Sequence, residues 1–251
     1  MRRANLSEFL SPVSVVWAVV VAIGLAGSLF AENVAEPAAE KVDPARAPIE
    51  DVPGLPRVLL IGDSVSLGYT LDVRELLDGK ANVHRPPANC GSTAMGVEQI
   101  DAWLGDGNWD VIHFNWGLWD INRRVNGKRN VAGEISATEE EYAQRLEKLV
   151  VRLKQTGATL IWAPTTFVQG GFGRRAGDEI RYNAIAAEIM NKHKVQINDL
   201  HALSAGFPRY GEAPEGKPEM FKSVGNVHFT PEGSRVLAGQ FAKSIQSALD
   251  K

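Results

Sequence analysis

The sequence has almost no cysteine and no large net charge. Cys90 is the only cysteine in 251 residues, so no disulfide can form within the chain. The five histidines are scattered, without a Cys/His cluster at metal-ligand spacing, and we therefore expect neither a metal nor another cofactor. With 27 basic and 30 acidic residues the formal net charge is −3, which argues against a nucleic-acid-binding surface.

The N-terminal segment, residues 1–31, has the pattern of a targeting sequence. Arg2 and Arg3 precede a largely apolar run over residues 13–31, which is typical of a secretion signal or a membrane anchor. Small residues near the end of the run favour cleavage, whereas its length favours retention, so both alternatives stay open. Either one predicts an extracytoplasmic protein that is secreted or attached to the membrane by this segment.

The rest of the chain divides into a linker and one domain. Residues 32–56 are rich in Ala, Pro, Glu and Asp and have little apolar periodicity, which predicts a flexible linker. Residues 57–251 alternate between strand and helix patterns. Strands are predicted at 57–61, 82–85, 110–116, 159–164 and 195–200, and helices at 66–77, 93–104, 138–155, 178–192 and 231–248. This alternation predicts a three-layer α/β/α sandwich, flavodoxin-like, around a parallel sheet of about five strands.

Two side chains with catalytic potential lie at the boundaries of these elements. Ser64 ends the run Gly62-Asp63-Ser64 directly after the first strand, and open α/β sheets bind ligands at the carboxyl ends of their strands. A serine there can serve as a nucleophile, although Gly-Asp-Ser is also ordinary turn sequence. His228 lies just before the last helix, and Thr230 is the better helix N-cap, which leaves His228 free to act as a base.

These segments resemble the SGNH (GDSL-type) hydrolase family over most of residues 57–251. Gly62-Asp63-Ser64 matches its first block, Gly91 the glycine of its second block, and residues 227–233 the block that holds its base histidine. The resemblance implies that Ser64 is the nucleophile and that His228 is the base. It also implies that the backbone N–H groups of Ser64 and Gly91 form the oxyanion hole.

Two positions depart from the family pattern. The third block normally reads Gly-x-Asn-Asp, but Gly117-Leu118-Trp119-Asp120 has Trp119 where the family has its oxyanion asparagine. Asn115 and Asn122 are nearby substitutes for that donor. The family's acid, three residues before the histidine, is replaced by Gly225, so we expect Asn226 or a backbone carbonyl near Gly225 to orient His228. The site is therefore that of a Ser-His dyad enzyme, a slow enzyme, or a binding protein on an enzyme fold.

The resemblance and the N-terminal segment suggest an esterase that removes small acyl groups, acetyl above all, from carbohydrate. The substrate is then a small-molecule or polysaccharide ester. Lipase or lysophospholipase activity and acyl transfer between sugars remain alternatives, as does a non-catalytic carbohydrate-binding protein that stacks sugars on Trp119, Phe167 and Phe172.

Further residues are predicted to lie at or near the substrate. Trp119, Asp120 and Thr165 are expected to contact it. The arginines at positions 174, 175 and 181 are expected to lie on a solvated loop and helix face, contact with an acidic substrate being the alternative.

Overall fold

The computed structural model describes residues 43–251, so the predicted targeting segment and the first part of the predicted linker lie outside the described residues. The strands are β1 (Arg57–Ile61), β2 (Asn82–His84), β3 (Val111–Phe114), β4 (Arg123–Val125), β5 (Lys128–Arg129), β6 (Glu134–Ile135), β7 (Thr159–Trp162) and β8 (Gln196–Ile197). The helices are α1 (Ser64–Leu76), α2 (Thr93–Leu104), α3 (Glu139–Lys154), α4 (Asp178–His193), α5 (Leu200–Ala205) and α6 (Pro231–Leu249). Among the helices of residues 43–251, none combines the length and the hydrophobicity that a transmembrane span needs.

Five parallel strands form the central sheet in the order β2-β1-β3-β7-β8. Alternate residues of β1 enter two separate apolar clusters, Leu59 and Ile61 in one and Val58 and Leu60 in the other. Helices α2, α3 and α4 cover the first face, and α1, α5 and α6 cover the second. The predicted three-layer α/β/α sandwich is confirmed.

A second, three-stranded antiparallel sheet lies between β3 and α3 and was not predicted. Its strand order is β5-β4-β6, and the β4–β5 hairpin turns at Asn126-Gly127. Both turn residues have positive φ, 48° and 75°, as a two-residue type I′ turn requires. Strands of two or three residues are too short to produce an alternating pattern, but Asn-Gly between β-compatible residues was a readable hairpin signal.

Residues 43–56 pack on the domain, and the flexible-linker prediction is wrong for this part of the chain. The Asn82 carboxamide accepts from the N–H of Val52 and donates to the carbonyls of Val52 and Leu55, at 2.9, 3.1 and 3.2 Å. Asp51 forms an ion pair with Arg57 at 2.8 Å. The bonds to Asn82 satisfy backbone groups that a free linker would leave to water, and the compact domain therefore includes residues 43–56.

Candidate active site

Ser64 lies at the carboxyl end of β1, where it is the first residue of α1. Asp63 caps the helix, because its buried carboxylate accepts the N–H of Val65 at 2.9 Å. The N–H of Ser64 belongs to the first turn, whose donors have no acceptor within the helix, and no backbone carbonyl in residues 43–251 accepts it. The half-buried hydroxyl is thus held at a helix N-terminus, where negative charge is stabilised.

His228 connects Ser64 to Asn226. Its Nε2 lies 2.9 Å from Ser64 Oγ, and its Nδ1 lies 3.0 Å from Asn226 Oδ1. The Asn226 amide is oriented by its Nδ2, which donates to Ser223 Oγ at 3.2 Å, and by Oδ1, which also accepts the His228 backbone N–H. Since Oδ1 can only accept, Nδ1 carries the proton, and the unprotonated Nε2 faces the serine hydroxyl. This is the tautomer that a general base needs.

The surroundings of His228 keep its imidazole neutral. Burial lowers its pKa from the usual 6.5, and the positive charges of Lys222, Arg174 and Arg129 lower it further. At neutral pH the ring is therefore able to accept a proton.

Gly91 brings a second backbone donor to this edge of the sheet. Its φ of +44° lies in the left-handed region, and a side chain there would meet Met95 Sδ at 3.0 Å, so glycine is favoured at this position. Its N–H is accepted by no backbone carbonyl of the described residues. The half-buried Trp119 packs beside it, with Cδ2 3.7 Å from the position of a Gly91 Cβ.

The loops that carry these groups are joined by buried hydrogen bonds. Asp120 accepts from the backbone N–H and the hydroxyl of Thr93, at 3.1 and 2.5 Å. These bonds hold the loop of residues 117–120, here called the third-block loop, against the start of α2. Trp116 Nε1 donates to the Cys90 carbonyl at 3.1 Å. Asp120 is fully buried, and burial raises its pKa to about 6. We therefore assign Asp120 to holding the loop in place and not to substrate contact.

Thr165 and Asn115 lie behind the site. Thr165 is 2% exposed, its backbone pairs with the Asn183 carboxamide, and a Cβ at Gly117 would come within 2.4 Å of its hydroxyl. The predicted contact between Thr165 and substrate is therefore wrong, since the side chain is inaccessible. Asn115 donates to the Ala163 carbonyl at 2.7 Å, so this amide proton is not available to an oxyanion.

The cleft beside Ser64 is small and has both polar and apolar lining. A cavity of about 300 Å³ is lined by Ser64, His228 and Lys222, by Asp43 and Ser234, and by the apolar Val65, Leu67 and Phe229. A larger cavity of about 480 Å³ lies at the opposite edge of the sheet, where β7 and β8 begin, and it contains neither Ser64 nor His228. Within residues 43–251 no group of three or more His, Cys, Asp or Glu side chains could hold a metal ion.

Arg174 differs most from its predicted position. Arg175 and Arg181 are exposed, as predicted, but Arg174 is only 2% exposed, and the solvated-face prediction is wrong for it. Its Nε donates to the Leu118 carbonyl at 2.7 Å and its Nη1 to the Phe172 carbonyl at 3.2 Å. Arg174 therefore joins its own loop to the third-block loop. Nothing in the local sequence distinguished Arg174 from its exposed neighbour Arg175.

Comparison with known proteins identifies both a sequence family and a fold. The family described as "Protein of unknown function (DUF459)" matches residues 57–244. No curated protein matches the sequence. Among solved structures, the acetyl xylan esterase AlAXEase aligns with a TM-score of 0.62 at 15% identity, covering 75% of this chain and 99% of that one.

Two further structures align over similar lengths. The lipase/acylhydrolase from Enterococcus faecalis has a TM-score of 0.61 at 16% identity and covers 77% of this chain and 96% of its own. A GDSL-like lipase from Bacteroides thetaiotaomicron VPI-5482 has a TM-score of 0.58 at 13% identity, with 81% and 94% covered. At these identities the likeness establishes the fold, and the predicted SGNH hydrolase fold is confirmed.

Proposed function

The chain belongs to the DUF459 family and has the SGNH hydrolase fold, and from this premise we propose that it is a serine carboxylic ester hydrolase. One observation carries the proposal, the chain of hydrogen bonds from Ser64 Oγ through His228 to Asn226 Oδ1, at 2.9 and 3.0 Å. A nucleophile, a base and a group that orients the base are the parts that covalent acyl transfer needs.

The reaction has two stages. His228 Nε2 takes the proton from Ser64 Oγ as the oxygen bonds to the acyl carbon. The N–H groups of Ser64 and Gly91, together with the helix N-terminus, stabilise the oxyanion. The tetrahedral intermediate collapses, and Nε2–H protonates the departing alcohol. Water then attacks the acyl-serine with His228 again as base, which releases the acid and restores the serine.

Asn226 affects the rate of this chemistry. Its neutral Oδ1 fixes the tautomer of His228 but gives the imidazolium no full negative charge. Replacing the aspartate of a serine triad by asparagine costs about 10⁴ in turnover, in large part because the tautomer becomes wrong. Here the Asn226 amide is held with Oδ1 toward His228, so we expect a smaller loss and a slow enzyme.

The substrate we favour is a small acyl ester, acetyl above all, of a carbohydrate. A cavity of about 300 Å³, in which Val65, Leu67 and Phe229 are the only large apolar lining residues beside serine, lysine and histidine, suits an acetyl group better than a long apolar chain. The half-buried Trp119 and Phe172, which is 52% exposed, provide aromatic surface for sugar contact. The basic and apolar residues 1–31 support an extracytoplasmic location for this activity.

The test compares the full chain with Ser64→Ala on 4-nitrophenyl acetate, butyrate and octanoate. We expect activity on acetate, a decline with acyl length, and loss of the enzyme-dependent rate in Ser64→Ala. Ser247→Ala, an exposed serine on α6, is the matched control and should leave the rate unchanged. Equal rates for Ser64→Ala and the unaltered chain would reject hydrolysis by Ser64 and favour the carbohydrate-binding alternative.

A further inference from the structure

The β4–β5 hairpin, residues 123–129, is strongly basic and lies near the candidate active site. It contains four basic residues, Arg123, Arg124, Lys128 and Arg129. Arg123 has a structural role, because its Nε and Nη2 donate to Asp178 at 3.0 and 2.9 Å. Within residues 43–251 the other three form no ion pair with a carboxylate inside 4.0 Å.

Arg124 and Arg129 lie opposite each other on one face of the hairpin, and Arg124 Nη1 donates to the Gly127 carbonyl at 2.9 Å. They are direct partners in the antiparallel register, whereas Lys128 pairs with Val125 and so lies on the opposite face. Like charges directly opposite each other destabilise a strand pair. Glu134 is the partner of Arg124 on β6, but it makes no ion pair in the described structure. An unfavourable pair of this kind is typical of a surface that binds a group of the opposite charge.

The hairpin approaches the site through Gly173. A Cβ at Gly173 would lie 3.0 Å from Arg129 Cβ and 2.8 Å from the Arg123 carbonyl, so this buried glycine permits the close approach. The next residue is the buried Arg174, whose guanidinium also has no carboxylate within 4.0 Å in residues 43–251. Arg129 is near enough for its charge to lower the pKa values of both Arg174 and His228.

Lys222 adds a positive charge at the cavity itself. Its exposed side chain lines the same cavity as Ser64 and His228 and has no ion-pair partner among the described residues. The one acid at this cavity, Asp43, has its Oδ1 engaged by the N–H of Ala45 at 2.9 Å. At the cavity itself the charges of Lys222 and Asp43 balance, and the excess of positive charge around His228 comes from Arg174 and Arg129.

We propose that the ester substrate is an acylated anionic saccharide whose carboxylate or phosphate is bound by Arg124, Arg129 and Lys222 beside the acyl group. This inference rests on the proposed esterase function and narrows its substrate class. Arginine binds both anions through paired N–H donors, and lysine adds a point charge. The bound anion also offsets part of the positive field that Lys222 and Arg129 produce at His228.

The test uses the full chain and substrates that differ mainly in charge. Acetylated oligogalacturonate is compared with its neutral methyl ester, with an acetylated sugar phosphate and with acetylated xylo-oligosaccharide, and the release of acetate is measured. We expect kcat/KM for an anionic substrate to exceed that for the neutral ones by about 10- to 100-fold at low salt, and the excess to shrink as salt is added. The better of the two anions identifies the group that is bound.

Variants then locate the binding surface. In R124Q/R129Q and in K222Q the ratio of kcat/KM for the acid to that for its methyl ester should fall about tenfold or more, and R129E should lower it further. K128Q removes the same charge from the other face of the hairpin and should leave the ratio unchanged. A melting curve checks folding, and the methyl ester supplies the reference rate within each variant.

The outcomes distinguish failure of the proposed esterase function from failure of the proposed anionic substrate. If the unaltered chain hydrolyses no ester, the proposed function fails. If it hydrolyses esters through Ser64 but prefers neutral substrates, or if R124Q/R129Q and K128Q change the ratio equally, the esterase stands and the anionic substrate is rejected.

Discussion

Replacing Asn226 by aspartate should speed up the reaction, because it gives His228 the charged partner that it lacks. Asn226 Oδ1 lies 3.0 Å from both Nδ1 and the backbone N of His228, so a carboxylate oxygen fits the same position without rearrangement. The neighbouring Ser223 hydroxyl, which now accepts from the amide at 3.2 Å, can rotate and donate to the new carboxylate.

The magnitude follows from the change in hydrogen-bond type. A neutral hydrogen bond contributes about 0.5–1.5 kcal/mol and one to a charged group about 1.5–3 kcal/mol, so the transition state gains about 1 kcal/mol. This corresponds to roughly a fivefold rise in kcat on the pH plateau. The new charge also raises the pKa of His228. Since the neutral imidazole is the active form, the acid limb of the pH–rate profile should move to higher pH.

The assay is kcat and kcat/KM for 4-nitrophenyl acetate between pH 4.5 and 9. Asn191→Asp, at an exposed position on α4, adds the same charge as a control and should change neither constant. Asn226→Ala should lower kcat, because nothing then fixes the tautomer. If Asn226→Asp leaves both the plateau and the acid limb where they were, the hydrogen bond between residue 226 and His228 has no part in catalysis.

Three further predictions concern the site and its supports. In the unaltered chain kcat/KM should rise with pH to a plateau, with its midpoint below the usual histidine value of 6.5, because burial and nearby cations lower the pKa of His228. A midpoint of the kcat/KM profile above pH 7 would contradict a lowered pKa for His228. Gly91→Ala should lower kcat by up to about 10²–10³, because a Cβ at φ +44° strains the backbone and crowds Met95 Sδ, which shifts the donor. An unchanged kcat would remove Gly91 from the oxyanion hole. Asp120, whose pKa burial raises to about 6, favours its protonated form in the fold, so its contribution to stability should be lost as pH rises from 4 through 6. Asp120→Asn should flatten that dependence in thermal melts, and an equally steep fall would assign it to another group.

The sequence predicted the sheet and the main helices well, because apolar residues recur in these segments at the spacing of a strand or a helix. Helix α2 begins and ends where predicted, at Thr93 and Leu104, since Ser92 caps one end and Gly105 follows the other. The predicted fifth strand, by contrast, is only Gln196–Ile197, and residues 200–205 are helical because Asp199 caps a short helix there. A short apolar run does not distinguish these two structures.

The site residues also fall into a group that the sequence located and a group that it did not. Ser64, Gly91 and His228 lie next to recognisable elements, so their positions followed from strand order and the turn before α6. The burial of Arg174 and Asp120 depends on contacts with Leu118 and Thr93, which are distant in sequence. Local pattern carries no information about such contacts, and it therefore predicted solvent or substrate contact for both residues.

The most direct test of the proposed mechanism is to identify the residue that becomes covalently modified. The full chain is treated with a fluorophosphonate, which reacts with activated serines, and the modified peptide is located by mass spectrometry. We expect one adduct, on Ser64, whose formation is slowed strongly in His228→Ala and little in Ser247→Ala. An unmodified Ser64 in a protein that still hydrolyses acetyl esters would contradict the mechanism.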